Sequence, residues 1–72
     1  MGAIIEHQIE NNFKYHAPKE DQPARYEASR DKAKQLAHLI GASCPESRER
    51  PLAMTKLEEA VMWANASIAR NE

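Results

Sequence analysis

The chain has 72 residues, ten of them basic and eleven acidic, for a formal net charge of −1 with histidine neutral. Of its apolar residues twelve are alanine, and the large aliphatic and aromatic side chains number seventeen. A chain of this length forms one domain with a meagre core, of the kind that normally needs disulfides, a metal or association with other chains. The near balance of charge argues against a DNA-coating protein. The single cysteine, Cys44, excludes an internal disulfide. No apolar run approaches the roughly 18 residues of a membrane span, and no basic-then-apolar leader opens the chain. The expectation is a self-associating domain in the cytoplasm, off the membrane.

In chain order, an N-terminal arm over residues 1–20 carries Ile4, Ile5, Ile9 and Phe13 at roughly helical spacing. A first long helix is expected over 21–41. Asp21 is its candidate N-cap, Pro23 lies in its first turn, and Gly41 stands where a left-handed residue would end it. Tyr26, Ala33, Leu36, Ala37 and Ile40 form its apolar stripe. A second helix is expected over 46–71, with Met54, Leu57, Val61, Ala64 and Ile68 stepping by three and four. Ser47 or Cys44 is a candidate cap for its first turn, ahead of Pro51. The short connection makes the two helices antiparallel neighbours. The fold class is therefore all-α, a helical hairpin with a short N-terminal helix or arm. Leu39, Leu52, Met62 and Trp63 fall off both stripes. Either other copies of the chain cover this surplus apolar surface, or the arm folds back over its own hairpin.

Nothing in the pattern points to catalysis, a metal or a cofactor. His7, His16 and His38 are scattered, the glycines at 2 and 41 build no phosphate loop, and Glu58 and Glu59 diverge by about 100° on a helix. The more informative stretch runs from Lys14 to Lys34, with six basic and four acidic residues beside Phe13, Tyr15 and His16. Rings stack on bases, and cations make charge-assisted hydrogen bonds to phosphate. Arg30 and Lys34, at i and i+4, share a helix face, and Arg25 and His16 are candidates for the mouth of a site. The alternative for the cations is local pairing with Glu27 and Asp31, and for Tyr15 a packing role in the arm.

Phe13-Lys14-Tyr15-His16-Ala17-Pro18, Tyr26 and Arg30, Ser43-Cys44-Pro45-Glu46-Ser47-Arg48-Glu49 and the run from Leu57 to Arg70 carry a likeness to a known family. Over roughly residues 13–71 it resembles the small helical-hairpin sponge proteins that phages deploy against CBASS and Thoeris defence. The resemblance implies a homo-oligomer, typically a hexamer. It would bind cyclic dinucleotides, or cyclic trinucleotides in a separate pocket, and sequester them in the host cytoplasm without cleavage. Relatives that act against Thoeris bind cyclic ADP-ribose isomers instead. Tyr15 matches the family's base-stacking tyrosine and Arg30 its phosphate-binding lysine, arginine keeping the charge and adding a bidentate fork. The C-terminal arginine of some members falls near Ala66 or Ser67, so no residue carries over for a trinucleotide pocket. A plain helical protein–protein interaction module is the reading that remains without the resemblance.

Overall fold

In the computed structural model, which describes residues 2–72 and the side chains of 5–72, the elements are α1 (Gly2–Asn12), α2 (Gln22–Ser43) and α3 (Glu49–Asn71). There is no strand among the described residues. At 1.5 Å per residue, α2 and α3 are each about 33–35 Å long. They pack side by side as a hairpin, and α1 lies within the segment expected as an arm.

The connection is set by proline rather than glycine. Gly41 is helical and has no positive φ, so the expected left-handed stop there is corrected. The residue before a proline is pushed out of the α region. Cys44, before Pro45, accordingly has φ −101° and ψ 132°, and α2 ends at Ser43, two residues beyond the expected boundary. The second helix begins at Glu49 instead of residue 46. Its opening is held by Ser47, whose hydroxyl oxygen accepts from the Arg50 backbone N–H at 3.2 Å. The Arg50 guanidinium donates to the Cys44 carbonyl at 3.2 Å, closing the loop. At the other end of α2, Asp21 makes no side-chain cap. Its carboxylate instead lies 3.3 Å from Arg25 Nε, one turn on.

Along the hairpin seam the half-buried positions include Tyr26, Ser29, Ala33, Ala37 and Ile40 on α2, and Met54, Leu57, Val61, Asn65 and Ile68 on α3. Both series advance by three and four residues, close to the 3.6-residue helical period. That drift brings in Ser29 and Asn65 and turns Leu36 and Ala64, expected on the seam, outward. A seam holding Ser29, Ala33, Ala37 and Asn65 encloses little apolar area. No hydrophobic side chain is fully buried among the described residues, and Gln22 alone, 4% exposed, is sealed from solvent.

Two magnitudes show how extended this chain is. Its radius of gyration is 15.9 Å, against about 11 Å for a compact domain of its length. Its accessible surface is 5961 Å², against roughly 4500 Å² for a compact monomer of similar mass. The excess is comparable to what one subunit covers in a stable assembly. Leu39, Leu52, Met62 and Trp63 stand exposed, and so do Ile5, Ile9 and Phe13. Thus the described side chains of α1 leave this apolar surface of the hairpin exposed.

Candidate functional site

The loop from α1 to α2 meets the C-terminal half of α3 and brings Tyr15 and His16 to a cleft, while Phe13 stays outside it. His16 Nε2 donates to the Asn11 carbonyl at 2.8 Å, which fixes the proton on Nε2 and leaves Nδ1 facing away from that bond. Asn11 in turn donates through its side-chain amide to the Arg70 carbonyl at 3.0 Å. These two bonds hold the start of the loop against the last turn of α3. Tyr15 follows, 82% exposed and free of any hydrogen bond among the described residues.

Beneath it lies a hollow of about 420 Å³. Tyr15, His16, Lys14 and Asn12 come from the loop and the end of α1, Tyr26 and Arg30 from α2, and Asn65, Ala66, Ala69 and Arg70 from α3. The volume falls in the range of ligand pockets. Its electrostatics are one-sided: Lys14, Arg30 and Arg70 line it, and no carboxylate does. None of the three cationic groups forms an ion pair among the described residues, so the local pairing of Arg30 with Glu27 or Asp31 does not occur. Asn65 also lines the wall, and its side-chain oxygen is buried and has no hydrogen-bond partner among the described residues. Three rings and three cations without an ion pair can stack a planar base and hold an anion.

The expected site residues separate into groups. Tyr15, His16 and Arg30 share this hollow. Lys34 lies one turn further along α2, in an adjoining hollow of about 410 Å³ between the hairpin helices. Arg30 reaches both, but there Lys34 shares the space with Glu58 and with Ala33, Leu57 and Val61. Arg25 is corrected: it does not line the mouth. Its guanidinium donates to both oxygens of Glu72, one bond being 2.9 Å from Nη1 to Oε2, and it flanks Asp21 as well. The Glu72 bond, foremost, raises the Arg25 pKa above its ordinary value. The Glu72 carboxyl is held below the usual carboxylate range, first by Arg25 and then by Gln22. That charge is committed to the fold.

Sequence reasoning missed Lys14, Tyr26, Asn65 and Arg70. Lys14 sits inside the aromatic cluster and was open to recognition. Tyr26 and Asn65 carry the same three-and-four spacing as packing residues, and Arg70 reaches the cleft only because the loop returns to the end of α3. A larger hollow of about 540 Å³ lies between α1 and α3, where exposed Trp63 and Arg70 meet His7 and Ser67. The Tyr15 hollow is the better candidate, because the cations and the two tyrosines converge there.

No curated protein and no solved structure matches the chain. A protein family described as Acb2/Tad1, hairpin domain, does, over residues 5–69, a span that takes in most of α1, the loop, the cleft and nearly all of the hairpin. The chain therefore belongs to the Acb2/Tad1 hairpin-domain family, the sponge proteins that counter CBASS and Thoeris defence.

Proposed function

We propose that this protein is a phage anti-defence sponge that captures cyclic oligonucleotide immune signals, cyclic dinucleotides foremost, in the host cytoplasm and withholds them intact from their effector. The observation that carries the reading is the convergence of Tyr15, His16 and Tyr26 with Lys14, Arg30 and Arg70 in a hollow without a carboxylate. Tyr15 would stack on one base and Arg30 would take a phosphate in its bidentate fork. Lys34 would add longer-range attraction from the neighbouring hollow.

The second part of the proposal is a homo-oligomer, with the family resemblance favouring a hexamer. Exposed Trp63, Met62, Leu39 and Leu52 supply the apolar surface for it. A cyclic dinucleotide has two bases and two phosphates, so two copies of one cleft facing each other can meet both halves with the same residues. A cyclic ADP-ribose isomer offers the same purine and phosphate chemistry and is the alternative ligand. A cyclic trinucleotide would need a further pocket. A plain protein–protein interaction module would use the apolar surface alone.

Native mass spectrometry with pooled cyclic dinucleotides, cyclic trinucleotides and cyclic ADP-ribose isomers tests the proposal. An oligomer carrying intact nucleotide at fixed stoichiometry, released unchanged on heating, is the expected result. An assembly that stays empty across the pool leaves the interaction module, and a processed nucleotide in the supernatant makes the protein an enzyme.

A further inference from the structure

The cleft's exposed tyrosine has nothing of its own to hold it. Tyr15 sits in a nine-residue stretch, residues 13–21, between α1 and α2, and its ring forms no hydrogen bond among the described residues. The far end of that stretch, however, is the most tightly bonded place in the molecule. Gln22, the one sealed side chain among the described residues, uses both ends of its amide: Oε1 accepts from the Lys19 backbone N–H at 3.0 Å, and Nε2 donates to Glu72 Oε1 at 3.3 Å. The Gln22 backbone N–H donates to the Lys19 carbonyl at 2.8 Å. Lys19 Nζ reaches the Glu72 carbonyl at 3.3 Å, and Arg25 grips the Glu72 carboxylate with both terminal nitrogens.

Between Lys19 and Gln22 the backbone is forced. Glu20 has φ 46°, a left-handed conformation that a residue with a side chain avoids. Such a turn persists only when its surroundings over-determine it, and here the bonds to Gln22 and Glu72 do so. The loop is thus tied to the end of α3 twice: through Asn11 and Arg70 before Tyr15, and through Gln22 and Glu72 after it.

We propose that Gln22 and Glu72 are positioning residues for Tyr15, setting the path of the loop so that the tyrosine ring stands over the Arg30 hollow before ligand arrives. The assignment rests on the sponge reading for its ligand. Pre-organisation is what it contributes: a ring already in place loses less freedom on stacking. Neither residue lines the hollow, so both act through the loop.

The experiment is a double-mutant cycle on the full chain, read by calorimetry with 3′,3′-cyclic GMP–AMP and by ¹⁹F NMR of protein carrying 3-fluorotyrosine. The two tyrosines give two resonances, assigned by Tyr15→Phe. Glu72→Ala should weaken binding about tenfold in the parent chain and less than twofold when Tyr15→Ala is already present. It should also move the Tyr15 resonance toward the free amino acid while helical circular dichroism stays unchanged. Gln22→Ala should repeat this pattern. Glu72→Gln, which keeps an oxygen acceptor for the two donors, should retain part of the affinity and serves where Glu72→Ala does not fold. Equal losses in both backgrounds, or an unmoved Tyr15 resonance, overturn the assignment. A parent chain that binds neither 3′,3′-cyclic GMP–AMP nor, in a second titration, a cyclic ADP-ribose isomer defeats the sponge reading instead, and the Tyr15 resonance then decides the positioning by itself.

Discussion

The Asn11 side-chain amide donates to the Arg70 backbone carbonyl at 3.0 Å, joining residues 59 positions apart. Arg70 is in the last turn of α3, where carbonyls lack a helical partner, so a side chain from α1 completes a terminus of α3. The described side chains of α1 leave Ile5 and Ile9 exposed. Docking of α1 therefore depends on polar bonds more than on buried area. Asn11→Ala should cost about 0.5–1.5 kcal/mol and raise amide exchange in α1 while protection in α2 and α3 holds. Unchanged exchange in α1 would mean that some other contact docks it.

The two cations that share a face of α2 should be unequal. Arg30 opens into the hollow without a carboxylate, whereas Lys34 lies beside Glu58 among apolar side chains. A lost charge-assisted hydrogen bond costs about 1.5–3 kcal/mol. Arg30→Ala should accordingly weaken cyclic dinucleotide binding roughly ten- to a hundredfold. Lys34→Ala should weaken it only a few-fold, with a difference that shrinks as salt is added. Calorimetry at two ionic strengths distinguishes them; equal losses would place the phosphates in the neighbouring hollow.

How far the sequence discloses this molecule depends on the range of the interaction. The hairpin is written in three-and-four spacing, which is local, and Tyr15, His16 and Arg30 come from a ring-and-cation pattern that is also local. The α2 terminus was misread because both Gly41 and Pro45 are stop signals, and the helix continued through the weaker one. Ser29 and Asn65 replaced Leu36 and Ala64 because a 3.6-residue period rotates slowly off a heptad. Arg25 looked like a ligand-facing cation until Glu72, 47 residues away, claimed it. No spacing rule connects those two; only the return of α3 to the start of α2 does.

Gly41 offers a test of that corrected boundary. It is helical, and a Cβ built there meets nothing within 4 Å. Glycine in a helix interior costs about 0.5–1 kcal/mol relative to alanine, through the freedom of the unfolded chain. Gly41→Ala should therefore raise the thermal midpoint by a few degrees. A left-handed residue at this position would give the opposite sign, so the direction of the shift decides between the two descriptions.

Trp63 reports on assembly. It is the sole tryptophan and is 57% exposed in the single chain. Under the proposed oligomer its indole lies at or near a contact, so emission should move to longer wavelength on dilution, together with the fall in sedimentation coefficient. Trp63→Glu should shift the association equilibrium toward smaller species, because it places a charge on a surface that association would dry. A chain that sediments as a monomer at every concentration, with constant emission, would leave the excess surface without a partner copy.

Acid should release the far anchor of the loop. The Glu72 carboxyl is held below its ordinary range by Arg25 and Gln22. A carboxyl with a depressed folded pKa binds fewer protons in the native state than in the unfolded one, so it stabilises above its ordinary pKa of about 4.3. That contribution declines as pH falls through the interval between the ordinary and the depressed value, and it is absent below both. Arg25 remains protonated throughout, since the same bond raises its pKa further. Denaturant midpoints measured between neutral pH and pH 3 should fall for the parent chain, and less steeply for Glu72→Gln, which has no proton to gain there. Because the pair is solvent-accessible, the gap between the two curves should narrow in high salt. Parallel curves for the two proteins would assign the acid sensitivity to other carboxylates and leave Glu72 without a charge role in holding the loop.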